Sequence, residues 1–178
     1  MEAEPVRIRR LEIPAGPGAA GGEVAASARL ANLVTCLLWG SNDHWRSPAV
    51  QLEQVRGSED RETRLWAALA AGRHVGRAEL SLPLADNLHL AEIAVMVHPR
   101  YRRRGIGRRL LEAAGDSARA AGRTVMVSWS GHRAGFDPEG PGTIRARTGH
   151  GTLPAAAPAV RFARACGYEL EQVDRFSR

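Results

Sequence analysis

A mixed α/β domain, one sheet with helices packed on both of its faces, is the fold class the sequence predicts. Three observations carry it. Segments with the two-residue alternation of strands and segments with the three-and-four spacing of helices interleave in the order β-α-α-β-β-β-α-β-α-β. Near mid-chain, a β-leaning run passes through an arginine-dense loop with two glycines straight into a helical pattern. A chain of 178 residues with 44% hydrophobic and 25% charged side chains is also long and apolar enough for one domain with a real core.

Taken in order, Val6 to Ile13 alternates apolar and basic residues apart from the Arg9–Arg10 pair, as a half-buried first strand would. Pro14 to Gly22 is a Gly/Pro/Ala linker. From Glu23 to Trp39 the set Val24, Leu30, Leu33, Val34, Leu37 and Leu38 recurs at three and four, which predicts a helix stopped by Gly40. Ser47 as N-cap and Pro48 at the first helical position open a shorter helix to about Val55. Glu59 to Glu62 reads as a charged loop. Arg64–Ala71 and His74–Leu82 then form a hairpin about a Gly72-Arg73 turn. Leu90 to Val97 is the next strand, with Ile93, Val95 and Val97 as its apolar set, ending before Pro99. A helix runs from Arg108 to Ala121 with Leu110, Leu111, Ala114 and Ala118 on one face, and Gly122 stops it. Thr124–Trp129 predicts a buried strand. Ser130–Pro154, crowded with glycine and proline, predicts a long irregular loop. Ala155–Cys166 is the last helix, ended by Gly167, and Tyr168–Phe176 a closing strand.

The junction at Arg102–Arg108 has the chemistry of an anion cradle. Backbone N–H groups at a helix start point toward a ligand, the helix dipole favours negative charge, and glycine lets a phosphate approach the main chain. The formal charge of +6 fits an acidic partner, but all 25 basic residues are arginine, with no lysine. That pattern is a surface-wide substitution bias, and no specific nucleic-acid partner is expected. Cys36 and Cys166 match no metal or CxxC spacing, and His44, His74, His89, His98 and His150 show no ligand spacing, so no metal is expected. The charged start does not resemble a signal peptide and no run nears the roughly 18 apolar residues of a membrane span. A cytoplasmic setting without membrane association is expected, and an oligomer is compatible with it. Trp39, Trp45 and Trp66 read as core or pocket wall, since no basic strand face interleaves with them.

The run from Val97 to Leu111 (VHPRYRRRGIGRRLL) closely resembles the acetyl-CoA motif of the GNAT acetyltransferase superfamily, with Arg102, Gly105 and Gly107 at the motif positions. Ala159-Val-Arg-Phe162 and Cys166-Gly-Tyr168 resemble the family's second motif. The likeness covers nearly the whole chain. It implies a single GNAT-like domain over residues 1–178, with a mixed, mostly antiparallel sheet of six or seven strands. It also implies acetyl-CoA as co-substrate. The amides of Arg103, Arg104, Gly105, Ile106, Gly107 and Arg108 would hold the pyrophosphate, and Arg102 to Arg104 would add charge. Backbone groups of Val95, Met96 and Val97 would meet the pantetheine arm, and an amide there would polarise the thioester carbonyl.

Within that resemblance Glu92, five residues before Val97, is the first candidate for the base that deprotonates an amine, and Glu79 the second. The alternative for Glu92 is a sheet-edge carboxylate. Many relatives carry a tyrosine four residues before the helix-ending glycine, where Ala163 stands here. Ser128, Ser130, His132 or water would then serve the departing thiolate. Tyr168 reads as a core aromatic and Cys166 as packing. The acceptor, a small-molecule or protein amine, is expected where the early helices and the Ser130–Pro154 loop face the central strand. The expected activity is N-acetyl transfer by direct attack. Two further readings stand beside it: an acyl-CoA-binding module without catalysis, and the N-terminal half of a tandem GNAT protein.

Overall fold

The computed structural model describes residues 5–15 and 22–174. The chain divides into two compact units, Met1–Trp129 and Ser130–Arg178.

In the first unit, β1 (Val6–Leu11), β2 (Arg61–Ala70), β3 (Arg73–Pro83), β4 (Leu90–Val97) and β5 (Val125–Val127) form one sheet in that order. The first four strands are antiparallel neighbours, and β5 joins β4 in parallel. The helices are α1 (Gly22–Trp39), α2 (Pro48–Val55) and α3 (Ile106–Ala120). The α2 start is as the sequence predicts, with Ser47 Oγ accepting the Val50 N–H at 3.2 Å and Pro48 opening the helix. The β2–β3 turn has the expected two residues but is shifted by one position. Its two loop residues are Ala71 and Gly72, both at positive φ (45° and 73°), and Arg73 already pairs with Ala70. Two successive positive φ values match the twist of the flanking strands, so the hairpin closes one residue earlier.

One sheet face carries Trp66, Ala68, Ala78, Leu80, Ala91 and Ile93 against Ile106, Leu110, Ala114 and Ala118 of α3, the last four at strict i, i+4 spacing. Small residues let the helix come close. A Cβ on Gly76 would lie 2.9 Å from Leu110 Cδ1 and 3.2 Å from Ile106 Cγ2. The opposite face packs Leu11, Leu65 and Ala67 against Val24 of α1 and Leu52 and Val55 of α2. Helices therefore cover both faces, as expected.

Three expectations change. The helix placed from Arg108 begins at Ile106, because Gly105 caps it and the Ile106 side chain is buried against the sheet. The strand placed over Thr124–Trp129 shrinks to three residues at the sheet edge, where Val125 is 42% exposed. Apolar composition made it read as buried. The expected six or seven strands are split between two sheets, five here and two in the second unit.

In the second unit the expected irregular loop contains an antiparallel ladder, β6 (Thr143–Arg145) with β7 (Thr152–Pro154), followed by α4 (Pro158–Ala165). Each strand has three residues, too few for periodicity to register. The closing strand predicted over Tyr168–Phe176 is absent from 168–174, and residues 175–176 lie outside the described residues. Leu170 and Glu171 accept single backbone bonds from Arg147 and Thr148, and the Glu171 carboxylate accepts from Arg147 Nε and Nη2 at 2.7 and 2.6 Å. A side-chain clamp replaces a ladder. The Pro14–Gly22 linker falls mostly in 16–21, also outside the described residues. Among the described residues no helix is long and apolar enough to cross a membrane.

Candidate functional site

The first unit has one strand edge that opens partway along its length. The pairing of β4 with β5 covers only Leu90↔Val125, Ala91↔Met126 and Glu92↔Val127. From Ile93 to Val97, β4 keeps β3 on one side and has no strand partner on the other among the described residues. Which backbone groups face the open side follows from the register. The His98 N–H donates to the carbonyl of Val75, its cross-strand partner, at 2.9 Å, while the His89 carbonyl accepts from Thr124 and Val125 on the β5 side. Bonded and non-bonded pairs alternate in an antiparallel ladder. Val95 and Val97 thus turn their N–H and C=O groups to the open side, and Glu92, Ala94 and Met96 turn theirs to β3. Of the three strand residues expected to offer main-chain groups to a ligand, Val95 and Val97 are the two whose backbone turns to the open side. Met96 spends its backbone on Arg77 and presents its side chain on the face opposite α3.

The open edge runs directly into the cradle. A single 3₁₀ turn, Pro99–Tyr101, leads to Arg102, whose Nε donates back to the Val97 carbonyl at 3.0 Å. Arg103 and Gly105 both stand at positive φ (64° and 75°), and Gly105 is the N-cap of α3 without a side-chain cap bond. The first helical bond beyond the cap is Arg109 N–H to Gly105 C=O at 3.1 Å, so the amides of Ile106, Gly107 and Arg108 precede the bonded turns. A Cβ on Gly105 would meet nothing within 4 Å, so the space before the helix start is open. The Arg104 guanidinium lies 5.2 Å from the Tyr101 ring centroid, and that ring stands edge-on to His98 at 5.7 Å. Arg109 is directed elsewhere, with Nη1 on the Val6 carbonyl at 3.0 Å. A glycine-capped helix start flanked by arginines has the chemistry to take a phosphate-bearing ligand. The strand edge beside it can receive an extended, amide-bearing arm.

The sheet face opposite α3 carries the carboxylates. Glu92 is about a third exposed, and its Oε2 accepts from Arg61 Nη1 at 3.2 Å. The same Nη1 donates to Ser81 Oγ at 2.9 Å. Glu79, the cross-strand partner of Ala94, is ion-paired with Arg77, which is buried. Burial pulls the Arg77 guanidinium below its ordinary range, and the Glu79 carboxylate works against that shift. Ala94 lies exposed between Glu92 and Met96, so the floor of this face is shallow where the open edge begins. Sequence reasoning missed Arg61, Ser81 and Arg77. The alternation Arg77, Glu79, Ser81 along β3 was the available signal for one polar face.

The remaining candidates are placed as follows. Ser128 lies one residue past β5. Ser130, His132, Ala163, Cys166 and Tyr168 belong to the second unit. There Ser130 Oγ is 2.8 Å from His132 Nε2, and burial holds the His132 imidazole below the usual histidine range. Cys166 caps α4 and is half-buried, and the Tyr168 N–H bonds the Ala163 carbonyl at 3.0 Å. Among the described residues no group of three or more His, Cys, Asp or Glu is placed to hold a metal ion.

Residues 31–134 match the sequence model of the Acetyltransferase (GNAT) family. No curated protein sequence matches the chain. Among solved structures, an aminoglycoside N-acetyltransferase in complex with CoA is 15% identical with a TM-score of 0.58, over 99% of this chain and 96% of that one. An aminoglycoside acetyltransferase from an uncultured soil metagenomic sample, in complex with sisomicin, is 16% identical with a TM-score of 0.63, over 97% and 95%. A tandem GNAT protein from the clavulanic acid biosynthesis pathway is 23% identical with a TM-score of 0.60, over 92% of this chain and 43% of that one. These likenesses show a shared fold.

Proposed function

The chain belongs to the acetyltransferase (GNAT) family, and we propose that it moves an acetyl group from acetyl-CoA to an amine by direct attack of the nitrogen on the thioester. The observation that carries this reading is the continuity of the open β4 edge with the glycine-capped start of α3. The amides from Arg103 to Arg108 take the pyrophosphate, with the charge of Arg102, Arg103 and Arg104 around it. Val95 and Val97 offer main-chain groups to the pantetheine arm, and one of their amides polarises the carbonyl oxygen. Met96 adds its side chain to the wall. The amine approaches over Ala94. Glu92 removes its proton, directly or through one water, so that a neutral nitrogen forms the C–N bond as the C–S bond breaks. A thiolate is a good leaving group at neutral pH and takes its proton from solvent. Residues 1–178 act as one acetyltransferase domain, a reading supported by a fold likeness that spans nearly all of this chain and of two solved structures. A cytoplasmic setting fits the two free cysteines.

A second reading is favoured by Ala163, which stands where many relatives have tyrosine. It makes the chain an acyl-CoA-binding module with a regulatory or structural role. Mass spectrometry after incubation with acetyl-CoA and a panel of primary amines separates the two. Transfer yields an acetylated amine for each CoA released. Tight acetyl-CoA binding without any acetylated amine sinks the enzyme reading and leaves the module.

A further inference from the structure

Arg61, read from sequence as part of a charged loop, is built into the sheet as the partner of Glu92. It reaches across β3 to do so. Ser81 is the cross-strand neighbour of Glu92, Thr63 is the neighbour of Ser81, and Arg61 comes in diagonally from two residues earlier on β2. One nitrogen, Nη1, serves both Ser81 Oγ and Glu92 Oε2, and Ser81 is itself buried. The backbone of Arg61 is fixed by the turn before it. The Ser58 N–H donates to the Arg61 carbonyl at 2.8 Å, and the Arg61 N–H donates back at 3.2 Å across the two residues Glu59 and Asp60. That closure requires glycine at position 57, which has φ +79° and where a Cβ would sit 2.4 Å from the Arg61 carbonyl oxygen.

A single-bonded ion pair whose arginine is about half exposed adds little to stability. Anchoring it with a tight turn and a buried hydroxyl does more for geometry than for folding. We infer that Arg61 is a positioning residue for Glu92. It holds Oε2 through a guanidinium that Ser81 keeps in place, and leaves Oε1 to face the acceptor amine or its water. This inference rests on the reading of Glu92 as base.

The test is a double-mutant cycle on the full chain, with acetyl-CoA and the best acceptor from the primary-amine panel. Arg61→Met is expected to lower kcat by about 10- to 100-fold through misplacement of the carboxylate, with KM for acetyl-CoA and the melting temperature unchanged. Arg61→Lys restores part of the loss. In a Glu92→Gln background, Arg61→Met adds no further loss, because the residue it positions no longer acts. Undiminished kcat in Arg61→Met beside a crippled Glu92→Gln overturns the inference alone, as does a fully multiplicative double variant. Undiminished kcat in Glu92→Gln overturns the base assignment and this inference with it.

Discussion

Gly105→Glu is expected to weaken acetyl-CoA binding by at least about 100-fold, which is about 2.7 kcal/mol of binding free energy. Two properties of the position combine. Its φ of 75° is one that side-chain-bearing residues adopt at a cost of about 1–2 kcal/mol. A Cβ there points into space with no atom within 4 Å, in front of the α3 start, so the new carboxylate occupies the ground assigned to the pyrophosphate. Anion against anion at a helix N-terminus reverses the electrostatics of the cradle. Gly105→Asn separates the two effects, since asparagine tolerates the left-handed conformation and brings no charge. It should bind acetyl-CoA with an affinity between the other two. Calorimetric titration with acetyl-CoA, alongside melting temperatures, reads both. A Gly105→Glu protein that keeps its affinity would mean that the donor sits elsewhere.

The second large effect is on turnover. Glu92→Gln keeps the size of the side chain and one acceptor oxygen for Arg61 but cannot take a proton. General-base catalysis contributes about 10²–10⁴-fold, and kcat should fall within that range. Because Glu92 lies on the face opposite α3, KM for acetyl-CoA should stay put. Glu79 is the control. It stands beside Ala94 on the same face but is ion-paired with buried Arg77, so Glu79→Gln should cost much less. Steady-state kinetics on both variants decide the assignment. A larger loss for Glu79→Gln would transfer the role of base to Glu79.

What could be read from the sequence and what could not divides along a physical line. The strand-to-helix junction was legible, with the start of α3 placed two residues late, because its determinants are consecutive. Arg102 through Arg108 set backbone conformation, charge and helix start within seven residues, and the Ser47–Pro48 start of α2 is equally local. The direction of the Met96 backbone was not legible. It depends on which neighbour each residue bonds, and that parity is set by the register with β3. The polar cluster around Glu92 joins residues 20 and 31 positions apart, a separation that no local pattern encodes. Composition misled at β5, where apolar residues form a short edge strand. The strand expected over Tyr168–Phe176 does not form over 168–174, where the chain is held by the Arg147–Glu171 clamp.

The most direct test of the open β4 edge as the donor site is residue-resolved amide hydrogen exchange with and without acetyl-CoA. In the free protein the amides of Val95 and Val97 should exchange fast, while those of Ala94 and Met96, turned to β3, should exchange slowly. Acetyl-CoA should slow Val95, Val97 and the amides from Arg103 to Arg108, and leave Ala94 and Met96 as they were. Saturating acetyl-CoA that leaves Val95 and Val97 fast, with protection appearing away from β4 and the α3 start, would contradict it.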